Sequence, residues 1–213
     1  MNVKIISDNN GAYSCVIAAR MSARAKDPEH ALKTALESHH ESILEHAVYT
    51  FLIEGISRVC LAQLCRHRFM SMTVESQRYT DSGSNEFVVP ESMENYRFYS
   101  VDNEELDMHA VHDTLVDLYE ELVESGIPRE DARFILPQSI TTNLVLTTNA
   151  RELRHFFNLR CCKRAQWEIR ELANQMLKLC KERDPILFDG DFPNCGYCPE
   201  KHPCKKVVEN AES

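Results

Sequence analysis

The segment that decides how this 213-residue chain is interpreted is Cys65-Arg66-His67-Arg68-Phe69-Met70-Ser71-Met72-Thr73-Val74-Glu75-Ser76-Gln77-Arg78-Tyr79. Three cationic or protonatable side chains stand in a row, and a serine and another arginine follow them closely. Packing does not explain this row, because arginine is almost never fully buried unless it is paired. Guanidinium groups bind phosphate through two parallel hydrogen bonds, so the row indicates donors that converge on an anion.

The residues before this row have the pattern of a helix. Ser57 is suited to cap a helix that continues to about Arg68. Gln63 precedes Arg66 and His67 by helical spacings, which predicts neighbouring faces for the three side chains. The alternative is a helix C-terminus that cations stabilise by about 0.3–1 kcal/mol through the helix dipole. That alternative leaves the later Ser-Gln-Arg-Tyr run unexplained.

Composition predicts a globular protein with a core of its own, because 43% of the residues are hydrophobic and 27% are charged. No apolar run approaches the roughly 20 residues of a membrane helix, and residues 1–7 turn polar too early for a secretory signal. The net charge of −9 argues against bulk attraction to nucleic acid or to an anionic membrane. With nine cysteines and no such signal, we expect reduced thiols and a cytoplasmic location.

The pattern of short strands among several helices predicts an α+β fold, a helix-rich single domain around a small, mostly antiparallel sheet. We expect this domain to cover residues 1–189, and a Cys-rich tail to cover 190–213. Strands are expected at residues 3–7, 47–53, 76–80, 86–89 and 140–148. Helices are expected at residues 12–25, 28–38, 57–68, 102 or 103 to 126, 128–136, 149–160 and 165–181. Glycine-rich phosphate cradles are absent from the sequence, so side chains and helix ends would have to hold any nucleotide.

A second basic cluster extends the first. It is Asn149-Ala150-Arg151-Glu152-Leu153-Arg154-His155-Phe156-Phe157-Asn158-Leu159-Arg160, and Ala165-Gln166-Trp167-Glu168-Ile169-Arg170 follows it. Two shorter motifs are His39-His40-Glu41-Ser42 and Pro128-Arg129-Glu130-Asp131-Ala132-Arg133. With Arg66-His67-Arg68, seven residues and then Ser76, these motifs resemble the flavin-dependent thymidylate synthases over about residues 18–186. Enzymes of that family methylate dUMP to dTMP with 5,10-methylenetetrahydrofolate, FAD and NADPH.

The resemblance implies a role for individual residues and a homotetramer whose active sites each draw on several subunits. Arg160 matches the catalytic arginine that holds the uracil ring and favours its ionised form; the alternative is an arginine at a helix C-terminus. The implied flavin contacts are Ser42, Arg66, His67, Arg68, Asn149, Arg151 and His155. The implied dUMP contacts are Gln63, Arg66, Glu75, Ser76, Gln77, Arg78, Arg133 and Arg160, with His40 near the pyrimidine.

The chemistry agrees with these roles, because carbon C5 of the uracil must become nucleophilic. A fixed cation beside the N3–C4=O edge stabilises the anionic pyrimidine, and arginine remains charged at any working pH. The resemblance implies that no cysteine nucleophile is needed and that the flavin carries the redox chemistry.

The sequence departs from the family pattern at three positions. Thr73 and Val74 stand where the family usually has Asn-Glu, so Glu75 is the candidate for the missing contact. His155 stands where the family usually has Asn. These departures leave two products open, the methyl nucleotide and a hydroxymethyl nucleotide made by a flavin- and folate-dependent dUMP hydroxymethylase.

The tail carries a thiol pattern of its own. Cys195-x2-Cys198-x5-Cys204 has the spacing of a zinc knuckle, and Cys161 is a candidate fourth ligand, with His202 or Cys162 as alternatives. We expect a structural zinc ion there, and an iron–sulfur cluster or free or oxidised thiols are the alternatives. A nucleic-acid-binding zinc-knuckle protein is the third functional hypothesis, and the acidic net charge argues against it.

Overall fold

The computed structural model of the chain describes residues 1–24, 26–80, 83, 86–195 and 204. It has the predicted α+β composition, helix-rich with a small antiparallel sheet. The strands are β1 (Asn2–Asp8), β2 (Val48–Ser57), β3 (Met70–Val74), β4 (Phe98–Tyr99), β5 (Glu105–Leu106) and β6 (Thr141–Asn149). The main sheet has the order β1-β2-β6-β3, while β4 and β5 pair separately as an antiparallel ribbon.

The described helices fall into long, short and 3₁₀ segments. The α-helices are α1 (Gly11–Ala23), α2 (Pro28–Glu37), α3 (Arg58–Leu64), α4 (Met108–Glu124), α5 (Arg129–Ala132), α6 (Ala150–Arg160) and α7 (Trp167–Arg183). The 3₁₀ segments are Glu41–His46, Glu91–Met93 and Arg133–Ile135.

The chain divides into two compact units. Unit 1 contains residues 1–2, 53–66 and 72–145, and unit 2 contains residues 3–52, 67–71 and the described residues from Leu146 onward. The buried side chains of unit 1 include Ile56, Leu64 and Ile140. Those of unit 2 include Tyr49, Phe51, Leu44, Phe156, Phe157, Leu172, Met176 and Phe188.

Several helix starts that the sequence predicts are confirmed by their caps. Asp27, Ser57 and Asn149 each precede a helix, and their side-chain oxygens accept backbone N–H groups of the first turn. Such a cap typically contributes about 1 kcal/mol. Asn149 is therefore fixed both as the last residue of β6 and as the cap of α6, which places its side chain at the junction of the two elements.

The predicted helix from Ser57 to Arg68 is too long. α3 ends at Leu64, and the next two backbone N–H groups, of Cys65 and Arg66, close the last turn onto Leu61 and Gln63. The chain then enters β3, a strand that the sequence did not predict. The expectation that Gln63, Arg66 and His67 share neighbouring faces of one helix is consequently wrong.

The predicted strand over residues 76–80 is also wrong, because these residues form a turn. The carbonyl oxygen of Ser76 accepts hydrogen bonds from the backbone N–H groups of Tyr79 and Thr80, and from the Thr80 hydroxyl at 2.8 Å. Of the predicted strand at 86–89, the structure has a single bridge between Phe87 and Ile140.

The long helix α4 begins later than predicted. Residues 98–106 form the β4–β5 ribbon, and Asn103 takes a left-handed conformation (φ 65°) in its turn. Asparagine tolerates this conformation better than most residues do. Asp107 caps the helix by accepting the N–H of Ala110 at 2.9 Å.

Candidate active site

The Arg-His-Arg row lies in a connection of turns between α3 and β3, and its three side chains have different surroundings. Arg66 and Arg68 are exposed, whereas His67 is only 6% exposed. The division into units falls between Arg66 and His67. The three neighbours therefore differ in burial, and they are divided between the two units.

His67 uses both of its ring nitrogens. Its Nδ1 lies 3.2 Å from Oε1 of Glu152, and Nε of Arg160 donates to its Nε2 at 3.1 Å. The ring also stands edge-on to Phe156, with the ring centroids 4.9 Å apart. His67, which lies in the segment just before β3, thus contacts Arg160 at the end of α6. The structure brings together one residue from each of the two basic clusters.

Burial lowers the pKa of His67 below the ordinary value for histidine. The hydrogen bond to Glu152 acts in the opposite direction, and the nearby Arg160 charge lowers the pKa further. The neutral imidazole is therefore favoured near neutral pH. It can accept a hydrogen bond at one nitrogen and donate a hydrogen bond from the other.

A cavity of about 540 Å³ opens in unit 2 beside this group. Phe69 forms part of the cavity wall and is 75% exposed, which is unusual for a large aromatic residue. Arg151 forms an ion pair with Glu45 across the wall. The lining residues are Glu41, Glu45, Phe69, Asn149, Arg151, Glu152 and His155.

The structure brings together only part of the predicted flavin contacts. Asn149, Arg151 and His155 line this cavity together. Ser42 lies exposed in the 3₁₀ segment 41–46 and is not among the lining residues. His40 lines a different cavity of about 420 Å³, beside α1 and α2.

The turn at residues 75–80 carries four of the predicted nucleotide contacts of unit 1, which are Glu75, Ser76, Gln77 and Arg78. Gln63 lies on α3 instead, and Arg66 lies just after that helix. Nε of Arg78 donates to Oε2 of Glu130 at 2.8 Å, and Nε of Arg133 donates to the carbonyl oxygen of Glu130 at 3.1 Å. The Ser76 hydroxyl accepts the N–H of Arg78 at 3.3 Å. Two guanidinium groups and a hydroxyl thus converge here, which is the donor set that a phosphate monoester requires.

Glu75 is held at the start of this turn by its neighbour on β6. Its carboxylate accepts a hydrogen bond from Nδ2 of Asn143 at 2.9 Å, and its backbone N–H donates a hydrogen bond to the Asn143 carbonyl oxygen at 2.9 Å. Val74, which stands where the family pattern has Glu, is the last residue of β3.

Comparison with known proteins shows the family of the chain. A family model described as "Thymidylate synthase complementing protein" matches residues 4–186. A "Flavin-dependent thymidylate synthase" of Pyrococcus furiosus is 47% identical over 187 residues, which cover 82% of this chain and 74% of that relative. Proteins with the same name from Geobacter sulfurreducens and Sulfolobus acidocaldarius are 46% identical over 175 residues and 40% identical over 210 residues. They span 80% and 92% of this chain, and 73% and 78% of their own lengths.

The chain belongs to the flavin-dependent thymidylate synthase family. It is therefore an enzyme of the thymidylate synthase type. The match ends at residue 186, and the division into a synthase domain of 1–189 and a tail of 190–213 stays a prediction. Among the described residues, none of the helices is long and apolar enough to cross a membrane.

One residue of this family member that sequence reasoning missed is Arg58. Its Nη2 donates to the carbonyl oxygen of Glu75 at 3.2 Å, and its Nε has no hydrogen-bond partner among the described residues. Burial lowers the pKa of Arg58, Glu75 acts in the opposite direction, and the charge of Arg133 lowers it further. The available signal was the arginine directly after the capping Ser57, which places a cation at the wrong end of a helix dipole.

Glu152 is the second residue that was missed. It is 8% exposed, and its partner His67 lies 85 positions away in the sequence. A buried carboxylate requires a donor, but nothing in the local pattern Ala-Arg-Glu-Leu names that donor. Only the structure pairs the two residues.

The predicted zinc site lies partly outside the described residues. Cys198 and the alternative ligand His202 fall there, while Cys195 is exposed and Cys161 is buried. Burial raises the pKa of the Cys161 thiol to about 11, which disfavours the thiolate that binds metal. Zinc binding by Cys195, Cys198, Cys204 and Cys161 stays a prediction.

Within the described part of the chain, one other group has metal-ligand character. His67, Glu152 and His155 place their candidate ligand atoms within 4.8 Å of one another. However, Nδ1 and Nε2 of His67 already engage Glu152 and Arg160, so an ion would have to displace at least one of those hydrogen bonds. The geometry favours a hydrogen-bonded group over an ion site.

Proposed function

We propose that this enzyme reductively methylates dUMP to dTMP, with FAD as cofactor and with 5,10-methylenetetrahydrofolate and NAD(P)H as co-substrates. The observation that carries the proposal is the cavity of unit 2. Three residues to which the family resemblance assigns flavin contacts, Asn149, Arg151 and His155, line it together. They come from the end of β6 and from the first half of α6.

The cavity fits a flavin in size and in chemistry. Its volume of about 540 Å³ lies in the usual range of about 300–1,000 Å³ for small-molecule sites. The exposed ring of Phe69 offers a flat apolar surface, and Asn149, Arg151 and His155 offer hydrogen bonds. When bound, FAD supplies the reducing equivalents for the one-carbon transfer.

The charge of the wall suggests which part of the cofactor it binds. Glu41, Glu45 and Glu152 outnumber the single cation Arg151 among the described lining residues, so the wall suits the uncharged, hydrogen-bonding parts of FAD. Within unit 2, the exposed guanidinium group of Arg68 is the proposed partner for the diphosphate, and Ser42, Arg66 and His67 remain further predicted flavin contacts.

The turn at residues 75–80 is the proposed phosphate site for dUMP. Arg78 binds the Glu130 carboxylate and Arg133 binds the Glu130 backbone carbonyl, so the phosphate dianion would compete with the carboxylate for Arg78 and with the carbonyl for Arg133. Gln63, Glu75, Ser76, Gln77 and Arg66 are further proposed nucleotide contacts, and His40 is proposed near the pyrimidine. By the family resemblance, Arg78 would enter the active site from another subunit of a homotetramer.

Arg160 is the proposed activator of the uracil. Its guanidinium group stays charged at working pH, and a fixed positive charge at the N3–C4=O edge stabilises the pyrimidine anion whose C5 is nucleophilic. Cys161, the next residue, is a poor candidate nucleophile, because it is buried and its pKa is raised to about 11. This supports a mechanism without a cysteine nucleophile.

The hydroxymethylase alternative rests on β3. Thr73 is exposed and Val74 is half-buried, and neither replaces the carboxylate of the usual pattern. Glu75, the candidate substitute, already accepts a hydrogen bond from Asn143. The nucleic-acid alternative depends on Cys198 and His202, which lie outside the described residues. A cytoplasmic location remains a prediction.

The test combines a spectrum with product analysis. The purified chain should show oxidised-flavin bands, either as isolated or after FAD is added, and dUMP should perturb them. Mass spectrometry of the products should then find dTMP only when folate and reductant are both supplied, with NADPH and NADH compared in parallel. A chain that binds no flavin, or that converts dUMP to hydroxymethyl-dUMP alone, would contradict the proposal.

A further inference from the structure

Three side chains of unit 2 form a continuous line of hydrogen bonds. Oε1 of Glu152 lies 3.2 Å from Nδ1 of His67, and Nε2 of His67 lies 3.1 Å from Nε of Arg160. Glu152 belongs to the first turn of α6 and Arg160 is the last residue of the same helix, so His67 bridges the two ends of α6.

The chemistry of the partners fixes where the protons are. The Nε–H of arginine can only donate, so Nε2 of His67 must be the acceptor. The ring proton of the neutral imidazole is then on Nδ1, which donates to the Glu152 carboxylate. The carboxylate therefore selects the one tautomer of His67 that can receive Arg160.

The surroundings make this line rigid. His67 and Glu152 are 6% and 8% exposed, and the edge of the imidazole ring meets Phe156. Hydrogen bonds of a buried group are strong and costly to break, because no water replaces the lost partner. Without such a partner, the long arginine side chain would lose rotamer entropy when the substrate fixes it.

We propose that Glu152 and His67 are positioning residues that orient the guanidinium plane of Arg160 for the uracil ring. The inference rests on the proposed function of Arg160 and adds two residues to it. Glu152 acts at a distance from the substrate: it sets the tautomer of His67, and His67 holds the Nε side of Arg160. The electrostatic activation of the pyrimidine depends on this orientation, because misplaced donors lose most of their effect on a developing charge.

The test is a set of variants of the full-length, FAD-loaded enzyme: Glu152→Ala, Glu152→Gln, Arg160→Ala and the double variant Glu152→Ala/Arg160→Ala. Turnover is followed by release of the C5 hydrogen of dUMP, which the methyl group replaces. Flavin affinity is measured by absorbance and the KM for dUMP is determined alongside. Thermal unfolding of each variant shows whether it is folded.

The expected result is a loss in kcat of the FAD-loaded enzyme without a matching loss in dUMP binding. Glu152→Ala should lower kcat by about 10- to 100-fold, the loss expected for a hydrogen bond to a charged group, while the KM for dUMP changes less than about threefold. Flavin affinity is used only to set saturating FAD, because Glu152 also lines the proposed flavin cavity. Glu152→Gln, whose side-chain carbonyl can still accept Nδ1–H, should recover at least about tenfold of this loss. The double variant should be no slower than Arg160→Ala alone, because both changes act on the same group.

Two outcomes separate the proposals. If Arg160→Ala is slow but Glu152→Ala is normal, or if their effects multiply, the positioning role is wrong and the proposed function stands. If Arg160→Ala itself turns over normally, the proposed activation by Arg160 fails and the positioning role fails with it.

A measurement on the unmutated protein covers the case in which Glu152→Ala does not fold. Nitrogen NMR of ¹⁵N-histidine-labelled enzyme, with His67 assigned by its loss in His67→Gln, should find the neutral tautomer protonated at Nδ1. A proton on Nε2 would overturn the proposal.

Discussion

Replacing Tyr49 by phenylalanine tests how much unit 2 depends on one buried hydrogen bond. Tyr49 is fully buried on β2, and its hydroxyl donates to Oδ2 of Asp184 at 2.6 Å. Asp184 is itself buried and directly follows α7. Burial and the hydrogen bond to Asp184 both raise the pKa of the Tyr49 hydroxyl, so it remains a donor throughout the usual pH range.

The magnitude follows from what remains after the change. Phenylalanine keeps the ring and its volume, so no cavity of note forms, but the Asp184 carboxylate loses its buried donor. A hydrogen bond to a charged group contributes about 1.5–3 kcal/mol. In a chain of this length 1 kcal/mol shifts the melting temperature by about 2–4 °C, so we expect Tyr49→Phe to lower it by about 3–12 °C.

The assay is thermal and urea unfolding, followed by circular dichroism at one fixed protein concentration. Tyr13→Phe is the matched control, because Tyr13 lies 61% exposed on α1. The control should change the free energy of unfolding by less than about 0.5 kcal/mol. If Tyr49→Phe and Tyr13→Phe unfold within 0.5 kcal/mol of each other, as a rough limit, the reasoning on Asp184 is refuted.

Three further predictions test other parts of the structure. Arg58→Met removes the donor to the Glu75 carbonyl and should weaken dUMP binding at least about tenfold, measured by the flavin absorbance change; an unchanged affinity would separate Arg58 from the turn at 75–80. Gly11→Ala would place its Cβ 2.4 Å from Cβ of Ala47 and should destabilise the fold by about 1–3 kcal/mol in urea unfolding; wild-type stability would show that the close approach is relieved freely. Because burial lowers the pKa of His112, the unfolded chain binds its proton more readily, and stability should fall as pH drops below about 6.5. His112→Phe should flatten that slope in unfolding measured across pH, and an equally steep slope would exclude His112 as its cause.

Sequence reasoning succeeded where structure is determined locally. The caps Asp27, Ser57 and Asn149 act on backbone groups two or three residues away, so the sequence around each contains the whole interaction. The same holds for the end of α4, where Gly126 takes a left-handed conformation (φ 89°) that favours glycine.

Sequence reasoning failed where partners are distant. The end of α3 at Leu64 depends on the chain entering β3, and the sequence around Arg66 continues the helical pattern without a stop signal. The turn at Ser76 is an exception, because its carbonyl takes all three donors from Tyr79 and Thr80 nearby, and the alternating pattern of residues 76–80 misled the prediction toward a strand. Partners such as Asn143 for Glu75 are 68 positions apart and leave no local trace.

The Arg-His-Arg signature would not work as a portable module, because α3 ends at Leu64 and the three residues lie outside any helix. An engineer who grafted Arg-His-Arg onto another protein's helix would carry over three side chains and none of their surroundings. The central histidine depends on the Glu152 carboxylate and the Arg160 guanidinium group, which lie near opposite ends of α6. These partners are 85 and 93 positions away from it in the sequence. The smallest portable unit is therefore the connection between Leu64 and β3 together with the whole of α6.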